Sequence, residues 1–152
     1  MADNQTELTE SFRAVCSSHG LLAVFAFGSR GFEIEQRLRG IDPASGHPES
    51  DLDLGVLPPR GVTFDVTRIV QLMVSMEDLF GVPRVDIVDL RKAPPYLALD
   101  AIRGHRIYCT DEIEAADFEL FVLRRAGDLA FYERERRRML LSSSADRALG
   151  FS

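Results

Sequence analysis

The stretch Ser50-Asp51-Leu52-Asp53-Leu54-Gly55-Val56, preceded by Phe27-Gly28-Ser29-Arg30, decides the reading of this chain. Alternating acidic and apolar positions describe a β-strand, whose side chains point to opposite faces with a period of two. Asp51 and Asp53 therefore share a face, about 7 Å apart along the chain at the usual rise per residue. Like charges on one face repel unless they share a cation, share a proton or face open water. Leu52, Leu54, Val56 and Leu57 make a wholly exposed strand a poor fit. A divalent cation resolves the conflict, and Mg²⁺ prefers oxygen ligands of this kind.

Upstream, Leu21-Leu22-Ala23-Val24-Phe25-Ala26-Phe27 is a continuous apolar run with the length of a buried strand. It stops at Gly28-Ser29. Glycine lets backbone approach a ligand closely. A helix starting just after Ser29 would aim free N–H groups at a bound phosphate. Downstream, Arg84-Val85-Asp86-Ile87-Val88-Asp89-Leu90 follows the turn-forming Gly81-Val82-Pro83 and reads as a third strand. Set beside the 51–57 strand, Asp86 completes a cluster of three carboxylates. Asp89 is its rival, with opposite strand parity and the residue type that caps turns. Three acids with two metal ions clamp the attacking and leaving oxygens of an in-line phosphoryl displacement. A phosphate cradle joined to such a cluster suits nucleoside triphosphate chemistry.

Taken in order, Gly-Ser, Ser-Asp-x-Asp-x-x-Val and Val-Asp-Ile-Val-Asp-Leu resemble the minimal nucleotidyltransferases of the polymerase β superfamily. The resemblance is strongest to the MntA-type antitoxins, which pair with HEPN-domain toxins. It covers roughly 21–140, including Ala93-Pro94-Pro95-Tyr96-Leu97 and Gly104-His105-Arg106-Ile107-Tyr108. It implies a polymerase β-like fold, with two Mg²⁺ ions bound by Asp51, Asp53 and Asp86. Family register favours Asp86 over Asp89. It also implies a nucleotide cradle at Gly28 and Ser29, with Arg30 and Ser50 beside it. The family usually sets its second motif closer to the first. Here Ser29 and Ser50 are twenty-one residues apart, so 31–49 contain an insertion. The Arg-Gly element expected after Gly-Ser is either Arg30-Gly31 or Arg39-Gly40.

The activity implied is transfer of AMP from ATP to a tyrosine hydroxyl of a HEPN toxin, which silences the toxin. Two alternatives stand beside it. One is an adenylyltransferase acting on a small-molecule hydroxyl, which usually carries an extra helical domain for the acceptor. The other is an antitoxin that blocks its toxin by contact without catalysis.

The bulk composition narrows the classes. A chain of 152 residues supports one domain with a real core, read here as 1–141 with a flexible tail at 142–152. A net charge of −6 argues against a general nucleic-acid binder, which needs a positive footprint. No apolar run reaches the eighteen or so residues of a membrane span. The polar, acidic N-terminus is unlike a secretory signal. Cys16 and Cys109 make neither a disulfide framework nor a zinc spacing and are expected as small core residues. A cytoplasmic location is expected.

Periodicity and breakers predict helices over 6–19, 33–39, 64–80, 94–103 and 111–141. Strands are predicted over 21–27, 51–57, 84–90 and 106–109, with a loop at 42–49. Interleaved helices and strands give an α/β or α+β fold with a small mixed sheet. In the 64–80 helix, Ile69, Val70, Met73, Val74, Met76 and Phe80 are expected inward. His19 is expected at a helix C-terminus, His47 in the loop and His105 in a structural role. The run Glu133-Arg134-Glu135-Arg136-Arg137-Arg138 is either a solvated helix face with Glu133–Arg137 pairing or a docking surface. Phe118, Phe121, Phe131 and Tyr132 on that helix are expected mostly in the core.

Overall fold

A computed structural model describes residues 2–41 and 50–148. Its helices are α1 (Ala2–Ser18), α2 (Gly31–Leu38), α3 (Val66–Phe80), α4 (Pro95–Ile102) and α5 (Glu112–Ala148). Its strands are β1 (Ala23–Phe27), β2 (Leu52–Leu57), β3 (Val85–Asp89) and β4 (His105–Cys109). The strands form one sheet in the order β3-β2-β1-β4. β1 runs antiparallel to both β2 and β4, while β2 and β3 are parallel. The sheet is therefore mixed, as the interleaved pattern predicts.

Strand alternation sorts the apolar residues into two layers. Val24, Ala26, Leu52, Leu54, Val56 and Val85 pack with Phe12 and Cys16 of α1, Ile34 of α2 and Leu72, Met76 and Phe80 of α3. Phe25 and Leu57 face the other way, onto Ala98 and Ala101 of α4 and Phe118 and Val122 of α5. The central strand β2 is thus covered on both faces. Gly55 makes the second layer close. A β-carbon there would stand 2.9 Å from Leu90 Cδ2 and 3.1 Å from Ala101 Cβ. No larger residue fits without moving α4.

Local signals explain most boundaries. The Asp65 side chain accepts from the Arg68 N–H at 2.8 Å and caps α3. Asp111 Oδ1 accepts from the Ile113 and Glu114 N–H groups and caps α5. Asp89 Oδ1 accepts from the Arg91 N–H at 3.0 Å, the turn role expected of it. Some expectations need correction. Val70 and Val74 are exposed, and Leu72 takes the inward position on α3. The first buried stripe of α3 is therefore Leu72, Met76 and Phe80, spaced i,i+4. α1 begins as early as Ala2, and α5 continues to Ala148, past the expected helix end at Leu141. Of the four α5 aromatics, only Phe118 is buried; Phe121, Phe131 and Tyr132 are exposed. Glu133 accepts from the Tyr96 hydroxyl, and Arg138 pairs with Glu135. Cys16 is fully buried, whereas Cys109 is only partly so. The expected loop at 42–49, with His47, lies outside the described residues. Among the described residues, no helix is long and apolar enough to cross a membrane.

Candidate active site

Backbone register brings the sequence motifs together. Asp53 on β2 is the partner of Asp86 on β3 and of Phe27 on β1. Neighbouring strands lie about 4.8 Å apart, so register partners sit side by side with side chains on one face. That face is the one Gly55 and Leu57 present to α4. α4 covers only its far end. The near end, carrying Asp51, Asp53 and Asp86, is partly open, and all three carboxylates are half-buried.

β1 ends against this cluster. Gly28 has a φ of 71°, in the left-handed region that favours glycine. A β-carbon on it would stand 2.4 Å from Asp53 Oδ2. Gly28 to Arg30 form a single 3-10 turn that runs straight into α2. A helical segment does begin just after the strand, and its first N–H groups lie at the site end of the sheet. Ser29 is exposed beside Gly28. Of the two Arg-Gly pairs, Arg30-Gly31 lies at this turn; Arg39-Gly40 lies at the opposite end of α2.

The electrostatics follow from the crowding. Burial, then the charges of Asp86 and Asp51, hold the Asp53 carboxyl above the usual carboxylate range. Arg84 offsets part of this charge. Its Nε lies 3.3 Å from Asp86 Oδ1 and 3.8 Å from Asp51 Oδ2. Arg84 was legible as a strand residue but not as a member of the site. Its signal is parity, because residues 84 and 86 of a strand share a face.

Arg30 has a structural part. It is buried, and its guanidinium donates twice to Glu33, at 2.9 and 3.1 Å, and once to the Ser50 carbonyl at 3.2 Å. These contacts tie the 3-10 turn to the residue before Asp51. Arg30 thereby braces the two motifs against each other. Ser50 enters through its backbone carbonyl. His105 contacts Glu35 through Nδ1 and stacks near Phe32, consistent with a structural part.

The donor set fits a hard divalent cation, being all oxygen, acidic and partly desolvated. Among the described residues, no three acidic, His or Cys side chains are already drawn together around one metal position. The carboxylates share a face, with Arg84 beside two of them. A cavity of about 390 Å³ lies elsewhere, lined by Arg60, Arg91 and the first half of α5. It sits past the C-terminal ends of β2 and β3, away from the acids.

A family model described as "Polymerase beta, Nucleotidyltransferase" matches residues 10–113, a span holding all three acids and the Gly-Ser turn. The chain belongs to the polymerase beta nucleotidyltransferase family. Solved structures agree on the fold. The chain is 21% identical to a chain of a toxin–antitoxin crystal structure with AMP-PNP, at a TM-score of 0.61, covering 88% of this chain and 96% of that one. It is 17% identical to a chain in a complex of tri-AMPylated Shewanella oneidensis HEPN toxin with MNT antitoxin, at a TM-score of 0.62 and coverages of 90% and 98%. An MntA–HepT toxin–antitoxin structure matches at 19% identity and a TM-score of 0.57, covering 90% and 97%. No curated protein matches the chain.

Proposed function

We propose that this nucleotidyltransferase is a Mg²⁺-dependent antitoxin that moves AMP from ATP to a tyrosine hydroxyl of a HEPN toxin. The observation that carries the reading is the register of Asp53 with Asp86, at a turn where only glycine fits against Asp53. The partner class rests on likeness to MntA and MNT chains in toxin–antitoxin complexes, one holding an AMPylated toxin.

In this reading Asp51, Asp53 and Asp86 hold the Mg²⁺ ions. Bound there, Mg²⁺ supplies charge neutralisation on the phosphates and lowers the pKa of a coordinated hydroxyl. The chain's own residues do the rest. The Gly28-Ser29 backbone cradles the β- and γ-phosphates at the start of the helical segment. The acceptor oxygen attacks the α-phosphorus, the α–β anhydride bond breaks, and pyrophosphate leaves. Asp86, on the edge strand β3, takes the hydroxyl proton at a carboxylate oxygen. A tyrosine hydroxyl has a pKa near ~10, so it reacts well only once that proton is drawn off.

One observation favours a second reading. Arg84 already shields Asp86 and Asp51. An acidic face whose charge is partly offset by arginine fits an antitoxin that blocks its toxin by contact alone. Mass spectrometry of the co-purified toxin after incubation with ATP and Mg²⁺ separates the two. Adenylyl adducts on the toxin, absent with Asp53→Asn, support transfer. An unmodified toxin that is nevertheless inhibited supports the contact reading.

A further inference from the structure

α5 has far more surface than the body of the protein covers. At about 1.5 Å per residue its 37 residues extend about 55 Å. Its buried residues are Ala115, Phe118, Val122 and Ala126, all on one face of the first half. Among the described residues, none after Ala126 in this helix is buried. The opposite face carries a second apolar stripe. Ile113, Leu120, Leu123, Phe131 and Leu141 are all exposed, Ile113 and Leu141 at 77% and 71%.

The positions on this face pair off about Gly127, apolar with apolar at two offsets and apolar with arginine at two. Leu123 and Phe131 lie four residues to either side, Leu120 and Arg134 seven, Ala116 and Arg138 eleven, and Ile113 and Leu141 fourteen. Offsets of four, seven, eleven and fourteen keep all these positions on one face of the helix. A β-carbon on Gly127 would meet nothing within 4 Å, so the midpoint is open to close approach. We propose that α5 pairs with α5 of a second copy of this chain, antiparallel, crossing at Gly127.

The pairing is isologous, so each contact occurs twice. Leu123 of one copy meets Phe131 of the other, and Ile113 meets Leu141. The charges match the same direction. Acidic residues concentrate in the first half of α5 and arginines in the run from Arg134 to Arg138. Antiparallel packing lays the arginine run of one copy beside Asp117 of the other. The stems of Arg134 and Arg138 cover Leu120 and Ala116 while their heads reach the acidic flank. A parallel pair would instead stack arginine on arginine.

Sedimentation velocity on the full chain alone, across a range of concentrations, tests the proposal. The expected result is a monomer–dimer equilibrium that Leu123→Glu with Phe131→Glu weakens by about tenfold or more. Both positions are exposed, so circular dichroism should show the helices unchanged. Gly127→Cys should form an intermolecular disulfide on oxidation, and adding Leu123→Glu and Phe131→Glu should suppress it. A chain that stays monomeric throughout overturns the proposal. So does a dimer insensitive to the double substitution, or a face that binds only a different protein.

Discussion

Replacing Gly28 with alanine tests the arrangement of the site at a single methyl group. Two effects separate cleanly. The first is conformational, since a residue with a β-carbon at a φ of 71° costs about 1–2 kcal/mol. For a domain of this size, that lowers Tm by about 2–8 °C. The second is local. The new carbon would stand 2.4 Å from Asp53 Oδ2, so the carboxylate must turn away. Asp53 is a half-buried side chain with room to rotate, so the clash costs little stability but moves a proposed ligand. A displacement near ~1 Å at a reacting centre can cost about a hundredfold in rate. Gly20→Ala is the matched control. Gly20 has a φ of 63° and nothing within 4 Å of a built β-carbon. Both variants should melt lower by similar amounts. Only Gly28→Ala should lose AMP transfer, by about a hundredfold, read as adenylyl adducts on the partner over time. If the two variants transfer AMP equally fast, Asp53 is not held in place by the Gly28 turn and the site is misassigned.

Asp53→Asn should abolish transfer while leaving the fold intact, and it carries a pH signature. The Asp53 carboxyl is raised in the folded state, so its contribution to stability is present in acid and lost as pH rises through its folded pKa. The asparagine variant should therefore resist urea better than wild type at neutral pH, and the advantage should vanish in acid; an equal advantage at both would contradict the crowding of the three acids. Arg84→Ala removes the cation beside Asp86 and Asp51. Mg²⁺ should then saturate activity at lower concentration, and an unchanged Mg²⁺ dependence would show that Arg84 does not compete for the acids. Arg30→Ala leaves Glu33 without its buried guanidinium and should cost about 3 kcal/mol in denaturant unfolding. Arg30→Lys should recover little of it, because one ammonium cannot serve both Glu33 and the Ser50 carbonyl.

Strand parity made the site legible. It set Asp51 and Asp53 on one face, family register chose Asp86 over Asp89, and the pairing of β2 with β3 puts Asp86 beside Asp53. Asp65 and Asp111 cap α3 and α5, a start signal present in the sequence that the periodicity reading did not use. Contacts between distant residues left no local trace. Arg30 reads as a ligand-facing cation beside Gly-Ser, and only the folded chain reveals the Ser50 carbonyl twenty residues away as its acceptor. Val70 and Val74 read as core because an apolar helix does not say which stripe turns inward. The same ambiguity hid Leu72. Phe121, Phe131 and Tyr132 followed helical spacing, but Phe121 lies on an exposed face and the other two lie past Ala126, the last buried residue of α5 among those described.

The burden of holding three acids together falls on the backbone. Among the described residues Arg84 is the one cation paired with two of them, and its side chain is 65% exposed, so its attraction is weakened by solvent and cannot by itself hold the cluster. β2 is anchored instead from both sides. Leu52, Leu54 and Val56 lock into one layer and Leu57 into the other, with Gly55 admitting α4 at close range. A strand fixed that way cannot slip by one residue without turning its leucines onto the acidic face. The register that packs the core is therefore the register that sets Asp53 beside Asp86. Their repulsion is paid for by apolar burial further along the same strand. It follows that trimming Leu54 to alanine, a loss of about 2–5 kcal/mol at a fully buried site, should loosen the acids as well as the core. Transfer activity should fall in that variant even under conditions where circular dichroism shows it still folded.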